Sequence, residues 1–196
     1  MPVTVLSCAD YERMAWKNGA GSTLEVAAAP VGSGLPDFYW RVSIADVEAE
    51  GPFSLFPGVD RVLTLVDGPS MILAVDGTDY RLTPATPFAF PGESTVSCRL
   101  PAGPIRGINV MTRRGRAAAS VTVLDVETHR DITVHPGETL LTLALSGQLA
   151  LSVSELAPVA LERLDAVCLG EPGGSIRMQG SGTIAEIRIE HQFTDC

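Results

Sequence analysis

The side chains best able to do chemistry fall mainly in three short stretches of the first half. These are Trp16-Lys17-Asn18-Gly19-Ala20-Gly21-Ser22-Thr23, Trp40-Arg41-Val42-Ser43-Ile44-Ala45 and Gly51-Pro52-Phe53-Ser54. Lys and Arg are seldom fully buried without a partner, so a Trp beside each suits a cleft with an apolar wall and cationic donors. Arg41 and Arg61 carry planar forks matched to a carboxylate, and Lys17 adds a more adaptable point charge, a set that suits a dicarboxylate. Asn18 and Asn109 can donate and accept, as recognition of an amide or formyl group requires, while Trp16, Phe53 and Met111 would wall the cavity. Ser43 lies two residues after Arg41 in a strand-like run and points the same way, as a hydrogen-bond donor. A plainer alternative pairs Arg41 with Glu25 or Asp46 and Arg61 with Asp60 as salt bridges, and leaves Arg113, Arg114 and Arg116 as a solvated basic turn.

Nucleophilic catalysis has less to work with. Ser43 and Ser54 have no histidine in the first half to activate them, and a hydroxyl at its free pKa is a weak nucleophile. Glu25 could serve as a general base only if desolvated or paired with another carboxylate. His129, His135 and His191 lie in the second half, and no two have the spacing of metal ligands. No catalytic residue, no metal and no cofactor is therefore expected.

The formal net charge of -9 repels nucleic acid and anionic membranes, although a local group of arginines can still hold a small anion. Cys8, Cys98, Cys168 and Cys196 are far apart and form no C-x-x-C pair, which reads as reduced structural thiols. The first residues lack a basic start followed by an apolar core, and no run approaches the ~18 apolar residues of a membrane helix. The expected location is cytoplasmic.

The elements that must position these residues read as strands. With 45% apolar and 19% charged residues the chain is globular, and nineteen Gly and fourteen Pro punctuate short Val, Ile, Leu and Thr runs, as in an all-β protein. Strands are expected over 3–7, 23–28, 60–66, 87–90, 94–100 and 104–111, with Asp10 as a candidate cap for a helical turn in 8–15. Over 38–47 the alternation places Phe38, Trp40, Val42 and Ile44 on one face and Tyr39, Arg41, Ser43 and Ala45 on the other, either of which could be packed. Asp76-Gly77 between 71–75 and 79–82 reads as a hairpin turn.

From residue 120 the pattern starts again. Pro57-Gly58, Leu63-Thr64-Leu65 and Gly68 have counterparts in Pro136-Gly137, Leu141-Thr142-Leu143 and Gly147. Likewise 71–75 answers to 149–153, Gly92 to Gly170, and 105–110 to 184–189, at an offset of about 79 residues. Two similar β-barrels or sandwiches are implied, 1–118 carrying the site and 119–196 following it. Asp60 and Arg61 become Thr139 and Leu140 in the second copy, so that copy is expected to cover the first or to dimerise.

WKNGAGST at 16–23, FYWRVSIADVEAEGPFSLFPGVDR at 38–61 and INVMTRR at 108–114 resemble, in order and spacing, the motifs of the HutD/Ves family. The resemblance is close over roughly the first 115 residues and looser beyond. It implies a bicupin, two cupin-type barrels in one chain. It also implies a protein that binds a small acidic intermediate of histidine utilisation, such as formylglutamate or urocanate, and restrains flux rather than catalysing a step. Where the family pattern leads one to expect an acid before the Asn-Val-Met block this chain has Gly107, so any contact made by that side chain is absent. A metal-binding cupin would place two His one residue apart, then a Glu and a third His, yet 57–68 contains no His.

The leading reading is a metal-free protein that binds a small carboxylated metabolite through Trp16, Lys17, Asn18, Arg41, Ser43, Phe53, Arg61, Asn109 and Met111. Beside it stand a metal-independent isomerase or lyase acting on a small acid or sugar, and an interaction module that uses exposed sheet edges to form a homodimer.

Overall fold

The structure, a computed structural model, describes residues 3–16, 19–153, 157–170 and 174–192. It is all-β. In chain order the strands are β1 (Val3–Leu6), β2 (Glu12–Ala15), β3 (Gly21–Ala29), β4 (Trp40–Val47), β5 (Gly51–Pro52), β6 (Val59–Asp67), β7 (Met71–Val75), β8 (Thr78–Leu82) and β9 (Phe88–Pro91). They continue as β10 (Val96–Arg99), β11 (Ile105–Arg113), β12 (Ala117–Val126), β13 (His129–Val134), β14 (Glu138–Ser152), β15 (Val159–Leu161), β16 (Ala166–Leu169) and β17 (Gly174–His191). The helical turn is a short 3-10 segment, Cys8–Asp10, whose cap is Ser7 and not Asp10. The Ser7 hydroxyl accepts from the Ala9 N–H at 3.3 Å, and the chain is already extended again at Tyr11. No helix among the described residues is long and apolar enough to cross a membrane.

Among the described residues, 12–118 with Gln192 form one compact unit, and 3–11 with 119–191 the other. Residues 3–11, expected with the N-terminal half, therefore belong with the C-terminal one. The reason is β-pairing: β1 runs antiparallel to β16, Val3 opposite Leu169 and Leu6 opposite Ala166.

In the N-terminal unit a six-stranded sheet, β2-β3-β4-β11-β6-β9, faces a four-stranded one, β5-β10-β7-β8. Ala45, Leu63, Leu65 and Phe90 of the first pack with Met71, Leu73, Leu82 and Val96 of the second to make the core. Asp76 and Gly77 close the β7–β8 hairpin with φ of 48 and 83, the left-handed pair that a two-residue hairpin turn needs. The alternation expected from Phe38 begins only at Trp40. Phe38 and Asp37 both hydrogen-bond back to the Gly34 carbonyl in a turn, so Phe38 packs with Val59 and Met111 instead of continuing the Trp40 face.

The C-terminal unit is one seven-stranded sheet, β1-β16-β14-β17-β12 with β13 on β17 and β15 on β14. Its core contains Leu140, Ala144, Val167, Leu169 and Ile184. Here the repeat slips by one residue. Leu63 and Leu65 face the N-terminal core, but it is Leu140 and Ala144, with Thr142 between them, that face the C-terminal core. A one-residue slip exchanges the two faces of a strand, so the matched Leu-Thr-Leu triplets present opposite sides.

Candidate functional site

Residues directly opposite one another in an antiparallel pair point to the same face. Met111 on β11 lies opposite Arg41 on β4 and opposite Arg61 on β6, and Arg61 lies opposite Phe90 on β9. Two residues along, Asn109 lies opposite Ser43 and Leu63, and Ser43 opposite Glu25. These rows share the face that carries Ala45 and Leu65 into the core. With strands about 4.8 Å apart, the Arg41 and Arg61 backbones stand about 10 Å from each other, Met111 between them. The sheet thus brings together Arg41, Ser43, Arg61, Asn109 and Met111, all less than a tenth exposed.

Arg61 is the unusual member. Its Nε and Nη2 both donate to Asn109 Oδ1, at 3.3 and 3.1 Å, and its guanidinium lies over the rings of Phe53, Phe56 and Phe90 at 5.4, 5.5 and 4.9 Å. No carboxylate pairs with it among the described residues. Asp60, its neighbour in sequence, points to the other face and holds Arg114 at 2.7 Å. Burial pulls the Arg61 pKa down to about 10, which still leaves it cationic at neutral pH. A charge taken out of water costs several kcal/mol, and an amide oxygen with three ring faces offsets only part of that. The Nη1 edge of the fork is left over. Because arginine only donates, Asn109 must present Oδ1 to it and keep its Nδ2 donors for something else.

Arg41 follows the plainer alternative: its Nε donates to Glu25 Oε2 at 2.7 Å, with the Glu25 side chain 32% exposed. Ser43 Oγ donates to the Asn109 carbonyl at 3.4 Å, a long contact. Met111 packs with Phe38, Val59 and Phe56 and separates the two arginines. Phe53 is half-buried against the core and forms one wall around Arg61.

Trp16 packs half-buried against the same core as Phe53 but is anchored farther along the sheet. Its indole N–H donates to Thr23 Oγ1 at 2.8 Å, and Thr23 lies opposite Ala45, four residues along β4 from Arg41 and so about 13 Å away along the strand. Lys17 and Asn18 lie outside the described residues. In the β2–β3 turn Gly19 adopts φ 70 and donates to the Trp16 carbonyl. Gly21 serves another purpose: a Cβ there would stand 2.1 Å from the Asp46 carbonyl. The glycines fit the hairpin to β4.

Phe56 and Phe90 complete the ring set and escaped the sequence reading. The Phe53-x-x-Phe56 spacing was a usable signal; Phe90 reaches Arg61 only through the β6–β9 register. Gly107 lies between Ala45 and Leu65 with Leu63 3.0 Å from where its Cβ would be, so an acid here would enter the core. Of the basic turn, Arg114 pairs with Asp60 and Glu93, and Arg113 donates to the Phe38 and Pro36 carbonyls, so both brace loops. Two open clefts lie away from Arg61. One of about 400 Å³ includes Asp131 and Arg177, the other of about 290 Å³ Asp46 and Arg106. In each the named charges already pair with each other, so the unmatched charge at Arg61 is the better guide to a site than cleft volume.

Comparisons with known proteins agree with this architecture. Over 190 residues, 96% of this chain and 93% of the relative, the sequence is 36% identical to an uncharacterised 21.2 kDa protein in the hutC 3' region of Pseudomonas putida. It is 44% identical to protein Ves of Citrobacter koseri over 112 residues, 56% of this chain and 58% of that one. The solved structure of HutD from Pseudomonas fluorescens SBW25 superposes with a TM-score of 0.84 at 34% identity, covering 98% of this chain and all of that one. Bacterial pirin of Escherichia coli, at 7% identity and a TM-score of 0.66 over 97% of this chain and all of that one, shares the fold alone. The HutD family model matches residues 8–185, and the chain belongs to the HutD family.

Proposed function

We propose that this chain is a bicupin whose N-terminal barrel binds a small carboxylated metabolite without a metal and so regulates histidine utilisation. The observation that carries the reading is the buried Arg61 guanidinium, which has no carboxylate partner among the described residues and an edge left over. A ligand carboxylate would supply the missing countercharge through paired N–H···O bonds, while the Asn109 Nδ2 donors would reach a formyl or amide oxygen. Arg41, held by Glu25, stands one strand beyond Met111 and would meet a second carboxylate. The setting of the Pseudomonas putida relative in a hutC region supports the choice of pathway.

Calorimetry of the full chain with formylglutamate, urocanate and glutamate tests the proposal. Saturable heat with one of the first two, lost in Arg61→Met, is the expected result. No heat with any of the three well into the millimolar range would sink it.

A further inference from the structure

The internal repeat leaves the second copy without counterparts of Asp60 and Arg61, yet its core face carries polar groups of its own. Thr142 on β14 lies directly opposite Glu186 on β17, on the face that places Leu140, Ala144 and Ile184 in the core. Thr142 is 0% exposed, and its Oγ1 has no hydrogen-bond partner among the described residues. Glu186 is 9% exposed; its Oε1 accepts from Arg188 Nε at 2.7 Å, and its Oε2 accepts no bond among the described residues. Arg188 also donates to Glu138 Oε2 and to the Thr133 carbonyl, both at 3.1 Å, and Glu138 Oε2 accepts the His135 N–H at 3.0 Å.

Two carboxylates therefore share one guanidinium, which leaves the Glu138–Arg188–Glu186 cluster one negative charge in excess. The N-terminal interior has the opposite imbalance, with Arg41 and Arg61 set against Glu25. A fully buried hydroxyl without a partner is costly unless something donates to it, and the Glu186 carboxylate directly opposite supplies countercharge for a cationic donor. A hard metal ion wants six or more oxygen ligands, and no three His, Cys, Asp or Glu among the described residues group as such a set. A primary ammonium fits better. It brings positive charge and three N–H donors, for Glu186 Oε2 and Thr142 Oγ1 among others, while Val167 beside Thr142 and the nearby Leu140 and Ile184 suit a short alkyl stem.

We propose that the inner face of the C-terminal sheet holds a second site, for a small alkylammonium, centred on Glu186 and Thr142. It is independent of the carboxylate site.

The test titrates the full-length protein with n-propylammonium chloride, followed by calorimetry and by amide NMR. Tetramethylammonium chloride serves as the control that carries the charge without an N–H donor. Saturable binding of propylammonium that shifts the Thr142 and Glu186 amides is expected, weaker by at least about tenfold in Glu186→Gln and weaker also in Thr142→Val. Equal binding of tetramethylammonium, unchanged affinity in Glu186→Gln, or no saturation would overturn the proposal. Should Glu186→Gln not fold, the nearly isosteric Thr142→Val variant supplies the same comparison, and unchanged affinity there overturns the proposal equally.

Discussion

Arg61 and Asn109 are locked together through one oxygen, the Asn109 Oδ1 accepting from both Nε and Nη2 of the arginine. That contact orients both side chains: it turns the Nη1 edge of Arg61 away from Asn109 and leaves the Asn109 Nδ2 donors unused by the arginine.

Arg61→Met should separate stability from binding. Removing an unpaired buried charge offsets the loss of its hydrogen bonds and ring contacts, so urea unfolding should shift by no more than about 1 kcal/mol. Binding of a carboxylate ligand should fall about 100-fold, the equivalent of two charge-assisted hydrogen bonds. Retained affinity would mean that the ligand sits elsewhere.

Asn109 offers a second contrast. Asn109→Leu strips the guanidinium of its acceptor and should cost about 2–3 kcal/mol in urea unfolding. Asn109→Asp supplies an internal countercharge, so it should be more stable than the leucine variant and yet bind carboxylates at least about tenfold more weakly than the parent chain. Tight binding by Asn109→Asp would show that Arg61 is not the anion's partner.

Much of this arrangement was legible in the sequence, and the remainder has a physical reason for being hidden. Period-2 alternation placed Arg41 and Ser43 on one face, and Asp76-Gly77 announced its hairpin, because both rest on contacts within a few residues. The meeting of Arg61 with Phe90 depends on the register of β6 against β9, which distant packing sets. Phe38 looked like the start of a strand, but the turn at Gly34 rotates it into the Met111 cluster. Trp16 shares a motif with glycines and a lysine, yet its indole is anchored on Thr23, opposite Ala45 and about 13 Å along the strand from the Arg41 row.

The two glycines of that hairpin should respond differently to alanine. Gly19→Ala forces a left-handed φ on a residue with open space around it and should cost about 1–2 kcal/mol. Gly21→Ala drives a methyl group against the Asp46 backbone carbonyl, which cannot swing aside, and should cost about 3 kcal/mol or more. Equal thermal shifts for the two would contradict the packing described.

Tyr11 gives an alkaline signature. Burial, with the nearby Cys8 and Asp165, pushes its phenol well above the usual tyrosine range, and its hydroxyl lies 3.2 Å from the Leu6 carbonyl and 3.0 Å from that of Leu164. The folded state thus favours the neutral phenol, and the stabilisation is whole below the unfolded value of about 10 and drains away as pH rises past it. Tyr11→Phe should lose about 1 kcal/mol at neutral pH and show a shallower further decline from about pH 9.5 to 11.5 in chemical unfolding.

The pairing of β1 with β16 has a consequence for how the protein is made. The Cys8 N–H that meets the Asp165 carboxylate is separated from it by 157 residues, so during synthesis the first strand leaves the ribosome long before its partner exists. It must wait, unpaired, while the whole N-terminal sandwich is produced, and such distant closure slows folding. For the same reason, cutting the gene between codons 118 and 119 would yield no intact C-terminal half: the fragment would lack its own edge strand and expose β16 to any passing neighbour.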